Sequence, residues 1–165
     1  MAVTPLDAGG DEVWLGRRGG VVGYYGPTGF SARRDASPIT LTTAVFTTCT
    51  FDVEEYDDDN AFNPTTGEYV APASGWYVFT GSCKIVGLDD NESAISSLFV
   101  DGVNLRNGDR GFSTGLNWTI PSAIATTIKL AAGQVATLRF WHNGDTESVQ
   151  ATDSTANWFS GVRLK

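Results

Sequence analysis

The stretch Asn63-Pro-Thr-Thr-Gly-Glu-Tyr-Val-Ala-Pro-Ala-Ser-Gly-Trp-Tyr-Val-Phe79 alternates turn residues with strand residues. Asn63-Pro64 and Thr66-Gly67 are typical turn dipeptides, and Pro72 with Gly75 closes a second turn. From Gly75 the chain continues through aromatic and β-branched residues to Cys83, a composition that is typical of a buried strand. The stretch therefore predicts a turn, a short strand, a second turn and a core strand.

Strand-like segments of the same kind recur roughly every ten residues, and no helical periodicity of useful length appears. Asp101-Gly102 and Asn143-Gly144 are predicted hairpin turns. The acidic segment 52–59 and the polar segment 107–117 are predicted loops. The apolar segment from Trp158 to the C-terminus is expected to form a central, buried strand. These patterns predict an all-β protein with a β-sandwich or jelly-roll fold.

Composition and charge restrict the class of protein. The 165 residues fit one domain with a terminal arm, and 41% are hydrophobic and 12% aromatic. A balance of 11 basic against 19 acidic residues gives a net charge of −8, which argues against unguided binding to nucleic acid. The chain has no segment long and apolar enough for membrane insertion and no signal-peptide pattern, so we expect a soluble protein made in the host cytoplasm.

No sequence pattern indicates catalysis. The only histidine, His142, follows an apolar strand and has no nucleophile motif beside it, so it is interpreted as a strand-end residue. Cys49 and Cys83 are interpreted as buried structural thiols, with a disulfide between neighbouring strands as the alternative. Two cysteines and one histidine are too few and too scattered for a zinc site. The sequence therefore predicts a protein that is not an enzyme.

The acidic segment is the only candidate for a cofactor. Its carboxylates repel one another and share one environment, which does not suit an acid–base pair. Calcium prefers several oxygen ligands from a flexible segment, and Asp57, Asp58 and Asp59 are weak candidates for that role. The alternative is a solvated loop whose charge keeps particles or subunits apart.

The first 29 residues differ from the rest of the chain. They contain eight glycines together with aromatic and aliphatic residues, and disordered tails are usually poor in aromatics. The segment 1–29 is therefore predicted to be an arm that becomes ordered against a partner, with an extra strand of the domain as the alternative. The candidate partner-binding residues are Trp14, Leu15, Arg17, Arg18, Tyr24 and Tyr25.

From residue 30 onward the chain resembles a known family in the order and spacing of its motifs. The resemblance rests on Phe30-Ser-Ala32, the stretch Phe62-Asn-Pro-Thr-Thr-Gly-Glu-Tyr-Val-Ala-Pro72, Gly75-Trp-Tyr-Val-Phe79, Leu130-Ala-Ala-Gly-Gln134 and Phe159-Ser-Gly-Val-Arg-Leu164. These segments are similar to the globular head domain of complement component 1 subunit q, which shares the tumour-necrosis-factor (TNF) jelly roll. Phe62 and Asn63 replace a tyrosine and an aspartate of the family pattern.

The resemblance implies a jelly roll of about ten antiparallel strands over residues 30–165 that assembles as a tight homotrimer. Excess aromatic residues suit a core between subunits. Trp76 and Tyr77 point to opposite faces of one strand, so one of them is predicted to lie near a subunit contact. The candidate trimer-core residues are Trp76, Tyr77, Phe79, Phe140, Trp158 and Phe159.

The chain lacks the collagen-like stalk of the animal proteins and starts at its own Met1. In this respect the chain resembles the compact versions of the domain that are found on bacteriophage particles. We therefore expect a virion structural protein, a capsid decoration or cement protein on the capsid surface that docks on the major capsid protein, or another virion lattice protein, through its arm. The alternative is the receptor-binding tip of a phage fibre, in which the loops 107–117 and 145–157, with Trp118 and Trp141, bind a cell-surface glycan or protein.

Overall fold

Two antiparallel β-sheets packed face to face form the protein from Thr28 onward. The computed structural model describes residues 15–18, 21–24, 27–35, 38–115, 118–145, 148–149 and 155–164, and only the backbone at 15–18, 21–24, 118, 120 and 148–149. All regular structure in these residues is β, which confirms the predicted fold class. The strands are β1 (Leu15–Arg18), β2 (Val21–Tyr24), β3 (Thr28–Arg33), β4 (Ile39–Thr40), β5 (Thr47–Thr48), β6 (Val53–Asp57), β7 (Phe62–Asn63), β8 (Glu68–Val70), β9 (Gly75–Leu88), β10 (Ser93–Val100), β11 (Val103–Phe112), β12 (Trp118–Leu130), β13 (Val135–His142), β14 (Ser148–Val149) and β15 (Trp158–Leu164).

The larger sheet is built around the long strand β9. Its order is β4-β14-β9-β15-β3-β6, and β12 pairs with β9 along its whole length. The smaller sheet has the order β11-β10-β13-β8-β7, with β5 also paired to β13. The last strand, β15, lies between β9 and β3, so the prediction of a central terminal strand is confirmed. None of the described residues forms a helix long and apolar enough to cross a membrane.

The hairpin turn predicted at Asp101-Gly102 is confirmed. Both residues have positive φ angles, 49° and 79°, and they connect β10 to β11. This is the backbone geometry of the tight hairpin turns that match the twist of antiparallel strands. The side chain of Asp101 accepts hydrogen bonds from the backbone N–H of Val135 and the side chain of Gln134, and these bonds lower its pKa. The turn is therefore anchored to the start of β13.

The acidic segment is mostly a strand, so the predicted loop at 52–59 is wrong for its first part. Val53–Asp57 forms β6, which pairs with β3 at the edge of the larger sheet. Charged side chains suit an edge strand because its outward side faces water. The Glu55 carboxylate accepts a hydrogen bond from Ser31 at 2.7 Å and lies 3.7 Å from the Arg33 guanidinium. These contacts give the acidic residues partners on β3.

Two further expectations about loops are wrong. The predicted loop 107–117 begins only after Phe112, because β11 continues through two register shifts that accommodate its polar residues. Asn143-Gly144 is not a hairpin turn. After His142 the chain leaves the smaller sheet, and Ser148 pairs with Val86 of β9 in the larger one.

The segment expected to be an arm overlaps the sandwich by two residues. Thr28 and Gly29 belong to β3 and pair with Arg163 and Val162 of β15. Upstream, β1 and β2 form a two-stranded antiparallel sheet of their own, separate from the strand ladders of both larger sheets. The division at residue 30 remains a prediction, and the strand pairing places the end of any separable arm before Thr28.

An aromatic cluster fills the space between the sheets. The ring of Phe30 stacks on Phe62 at 4.8 Å and on Tyr69 at 4.7 Å, and its edge meets Phe159 at 5.0 Å. Phe79 stacks on Phe159 at 5.8 Å. Such aromatic pairs add about 0.5–1.5 kcal/mol each beyond the burial of their surface.

The cluster requires a residue without a side chain on β15. Gly161 lies opposite Phe30 of β3 and opposite Phe79 of β9 in the strand registers. A Cβ atom at Gly161 would approach Phe30 Cε1 to 2.7 Å and Phe79 Cδ1 to 2.8 Å. Real Cβ atoms do not come this close to carbon, so any other residue would push both rings aside.

We predict that Gly161→Ala lowers the free energy of unfolding by about 1–3 kcal/mol, the usual cost of overpacking a core. The measurement is urea unfolding followed by tryptophan fluorescence. Gly75→Ala is the matched control, because its added methyl group would meet the nearest atoms only at 3.8 Å. Equal stability of the two variants would contradict this account of the core.

Candidate interaction surfaces

His142 is not accessible to a substrate. Its side chain is fully buried at the end of β13. Burial lowers the pKa of His142 from its ordinary value of 6.5, while a hydrogen bond with the Leu41 backbone and the charge of Glu92 oppose this shift. A neutral, inaccessible imidazole fits a structural role. The expected strand-end position is correct, but the side chain belongs to the interior.

This burial predicts that stability decreases in mildly acidic solution. Because the pKa of His142 is lower in the folded protein, the unfolded chain binds a proton first as the pH falls below about 7. We expect the full free energy of unfolding above pH 7 and a decrease between pH 7 and 5, measured by urea unfolding at each pH. His142 is the only histidine, so His142→Gln should flatten the curve in this window. An unchanged slope in the variant would contradict the assignment.

The cysteines are both buried and free. Burial, followed by the neighbouring Cys49, raises the pKa of the Cys83 thiol. A buried protonated thiol is a poor nucleophile and a poor metal ligand, so Cys83 is not placed for either role. In the described part of the chain, no three His, Cys, Asp or Glu side chains converge in a way that could hold a metal ion.

The weak calcium candidates bind separate protein donors. Asp57 accepts a hydrogen bond from the Phe62 backbone N–H at 2.7 Å, and Asp58 accepts one from the Gly29 N–H at 3.0 Å. Asp59 accepts one from the Thr28 hydroxyl at 2.5 Å. These bonds connect the end of β6 to β3 and to the following turn. Asp57 and Asp58 thus hold backbone N–H groups and Asp59 holds a side-chain hydroxyl, and the three carboxylates form no cluster that could hold a metal ion.

Four of the six candidate trimer-core residues lie inside one subunit. Tyr77, Phe79, Phe140 and Phe159 are completely buried between the sheets, so they have no side-chain surface to offer a second subunit. The Tyr77 hydroxyl donates to the Ala73 carbonyl at 2.5 Å, and its ring belongs to the core cluster. These four residues are core residues, and the sequence could not separate the two roles because both require aromatic side chains on strands.

The other two candidates, Trp76 and Trp158, lie on the outward face of the larger sheet. Trp76 is 52% exposed, and the strand register places Leu164 of β15 and Lys129 of β12 beside it. The next row contains Val162, Val78 and Thr127, with the two valines half-buried. We call this surface the open face. Its members are Trp76, Val78, Thr80, Ala123, Ala125, Thr127, Trp158, Ser160, Val162 and Leu164.

The open face is free of negative charge. The three strands that form it, β9, β12 and β15, contain no Asp or Glu, although the chain has 19 acidic residues. Its central hydroxyl groups, of Thr80 and Ser160, hydrogen-bond each other at 2.8 Å. A broad, largely apolar face whose central hydroxyl groups are already paired is typical of a protein contact.

A groove of about 500 Å³ lies at the margin of the open face. Trp158, Thr80 and Ala125 line it on the sheet side, and Asn107 and Asp109 of β11 line the other side. The groove exists because Gly108 brings β11 close to β12: a Cβ there would lie 2.2 Å from the Ala123 carbonyl oxygen. Beyond the groove, β11 is an edge strand with Val103 and Leu105 exposed.

The side chains of the candidate arm residues lie outside the described part of the structure. Trp14 and Tyr25 lie outside the described residues. Leu15, Arg17, Arg18 and Tyr24 lie on β1 and β2, for which the structure describes the backbone alone. Most of the loop 145–157 and the side chain of Trp118, proposed above for ligand binding, also lie outside the described residues.

Known structures with the same arrangement of strands come from the complement and TNF proteins. The globular domain of zebrafish complement 1qA protein matches with a TM-score of 0.58 and 13% identity, covering 85% of this chain and 98% of that one. The Eiger TNF of S. frugiperda matches with a TM-score of 0.59 and 12% identity, covering 84% and 93% of the two chains. Murine APRIL matches with a TM-score of 0.61 and 8% identity, covering 84% and 100%.

No protein-family model matches the sequence, and no curated protein matches it in sequence. At 8–13% identity, the structural matches concern the fold alone. The predicted resemblance is confirmed at that level: the chain has the jelly-roll fold shared by the complement 1q globular domain and TNF proteins.

Proposed function

We propose that the protein is a non-enzymatic structural protein that forms a homotrimer through the open face and decorates the surface of a virus capsid. The observation that supports it best is the absence of acidic residues from the three strands of the open face in a chain of charge −8. Subunits with this net charge repel one another, so a face without negative charge is where they can meet. Burial of Trp76 and Leu164, 52% and 41% exposed, would stabilise the contact.

Two different surfaces of the subunit are available for this contact. The open face lies on the larger sheet, whereas the exposed edge of β11, with Val103 and Leu105, belongs to the smaller sheet. A contact between two different surfaces repeats head to tail and closes into a ring when the rotation permits. The resemblance to the complement-head and TNF family leads us to propose that this ring has three members.

We predict that the protein in solution has three times the 17.6 kDa mass of one chain, and that Trp76→Glu shifts it to monomers. The reason is that the substitution places a carboxylate where the proposed contact buries an apolar side chain. Size-exclusion chromatography with light scattering measures both masses.

Val70→Glu is the matched control, because Val70 is 42% exposed on β8 of the other sheet. It should remain a trimer. A monomeric wild type, or a Trp76→Glu variant of unchanged mass, would overturn the proposed trimer.

The hairpin of β1 and β2 supports docking through the N-terminal arm. Among the described residues the two strands pair only with each other, and an isolated two-stranded hairpin is marginally stable in water. A partner surface would stabilise such a hairpin by packing against it. In the proposed function this surface is the capsid lattice, and the arm stabilises the lattice by binding only its assembled form. Arg17 and Arg18 give the hairpin a positive charge in an otherwise acidic chain.

We predict that deletion of residues 2–26 abolishes binding to purified capsid shells of the virus that encodes the chain and leaves the trimer intact. The deletion stops before Thr28, because Thr28 and Gly29 are part of β3. Co-sedimentation with the shells measures binding, and light scattering measures the trimer.

The full-length protein should sediment with the shells and raise their disruption temperature. Binding that survives the deletion would contradict docking through the arm. A full-length protein that leaves the shells unchanged would exclude capsid decoration and favour the second candidate, the receptor-binding tip of a fibre.

A further inference from the structure

Arginine and aromatic side chains alternate on the outward face of the smaller sheet. The registers place Ile95 of β10 between Arg110 of β11 and Trp141 of β13. The Arg110 guanidinium carbon lies 4.9 Å from the centre of the Trp141 ring and 5.7 Å from the centre of the Phe112 ring. The cation is therefore held above two aromatic rings at the outer surface of the sheet.

The next row repeats the pattern with polar groups. Ser97 of β10 lies between Asn107 and Arg139 in the registers. The Asn107 side-chain oxygen accepts hydrogen bonds from the Ser97 hydroxyl and the Asn104 amide, both at 2.8 Å. Arg139 lies over the ring of Phe99 at 4.4 Å. We call the two rows together the arginine–aromatic face.

The positive charges of this face have no acidic partners among the described residues. Neither Arg110 nor Arg139 forms an ion pair within 4.0 Å with a carboxylate of the described residues, unlike Arg33, which pairs with Asp35 and Glu55. Arg110 and Arg139 are held by aromatic rings, and Arg139 also donates to the Thr137 hydroxyl at 3.3 Å. In a chain of net charge −8, two ordered guanidinium groups without carboxylates leave a local site that attracts anions.

We propose that the arginine–aromatic face binds a saccharide that carries carboxylate groups. A guanidinium group stacked on an aromatic ring keeps its N–H edge available, and that edge matches a carboxylate with two parallel hydrogen bonds. Phe112 is 61% exposed and presents ring surface to the C–H groups of a sugar. The amides of Asn104 and Asn107 lie on the same face and suit sugar hydroxyl groups.

The position of the face favours a saccharide over an acidic peptide. A peptide bound in extended form pairs its backbone with an open strand edge. The two arginines instead lie on the flat side of the sheet, where the central strand β10 is paired on both edges, to β11 and β13. Only side chains are available there, and a saccharide has no backbone ladder to satisfy. The face belongs to the smaller sheet and shares no residue with the open face.

Binding of the full-length protein to immobilised polygalacturonate and polysialic acid tests the proposal, in calcium-free buffer at physiological salt, with neutral dextran and poly-L-glutamate as comparison surfaces. We expect binding to at least one carboxylated saccharide and none to dextran. Arg110→Gln and Arg139→Gln should each weaken it about tenfold, as loss of a charged hydrogen-bond pair does. Phe112→Ala should weaken it severalfold.

Arg106→Gln is the matched control, since Arg106 is exposed on the same strand and its side chain donates a hydrogen bond to the adjacent Leu105 carbonyl. It should change binding less than about twofold. No binding to either acidic saccharide would overturn the proposal. An equal loss of saccharide binding in Arg106→Gln would show that the saccharide is held by unspecific charge attraction. Equal binding to poly-L-glutamate would identify an acidic polypeptide as the ligand instead. Light scattering of each variant separates these outcomes from loss of the trimer.

Discussion

The convergence of Phe30 and Phe79 over Gly161 is the contact on which the sandwich depends. Both phenylalanines are register partners of the glycine, one on each neighbouring strand. A slip by one residue would place Ser160 or Val162 under the rings and turn the core residues of β15 toward water. The glycine therefore sets the alignment of three central strands of the larger sheet, and with it the side chains that reach the open face.

This core leaves the outer surfaces with distinct chemistry. The rings of Tyr77, Phe79 and Phe159 point into the interior. The outward positions of the same strands alternate with them and carry no acidic residue. Negative charge is concentrated elsewhere, as on β6, where Glu54 and Glu55 are exposed at the sheet edge. The fold separates a face without acidic residues from an acidic edge strand, and this separation is the physical basis for the proposed assembly.

Local patterns predicted most of the fold and little of the surfaces. The Asp101-Gly102 turn could be predicted because its backbone geometry depends on adjacent residues, and the fold followed from motifs in order. The acidic strand β6 could not be predicted, because its pairing with β3 outweighs the poor strand propensity of its residues. The contact of Arg110 with Trp141 could not be predicted either. These residues meet only because both pair with Ile95 on β10, a relation that depends on sheet order.

The positions of the two proposed surfaces make them compatible. The open face belongs to the larger sheet and the arginine–aromatic face to the outward side of the smaller one. The proposed trimer contact also takes Val103 and Leu105 at the start of β11, whereas Arg110 and Phe112 lie at the end of that strand, so a subunit can use both surfaces at once. A trimer would then present three copies of the saccharide site. Linked sites turn later binding events into intramolecular ones, so overall affinity exceeds that of one site without new contacts. A shallow face with two guanidinium groups is expected to bind weakly alone, and assembly into a trimer would make such a face effective on a polymeric ligand.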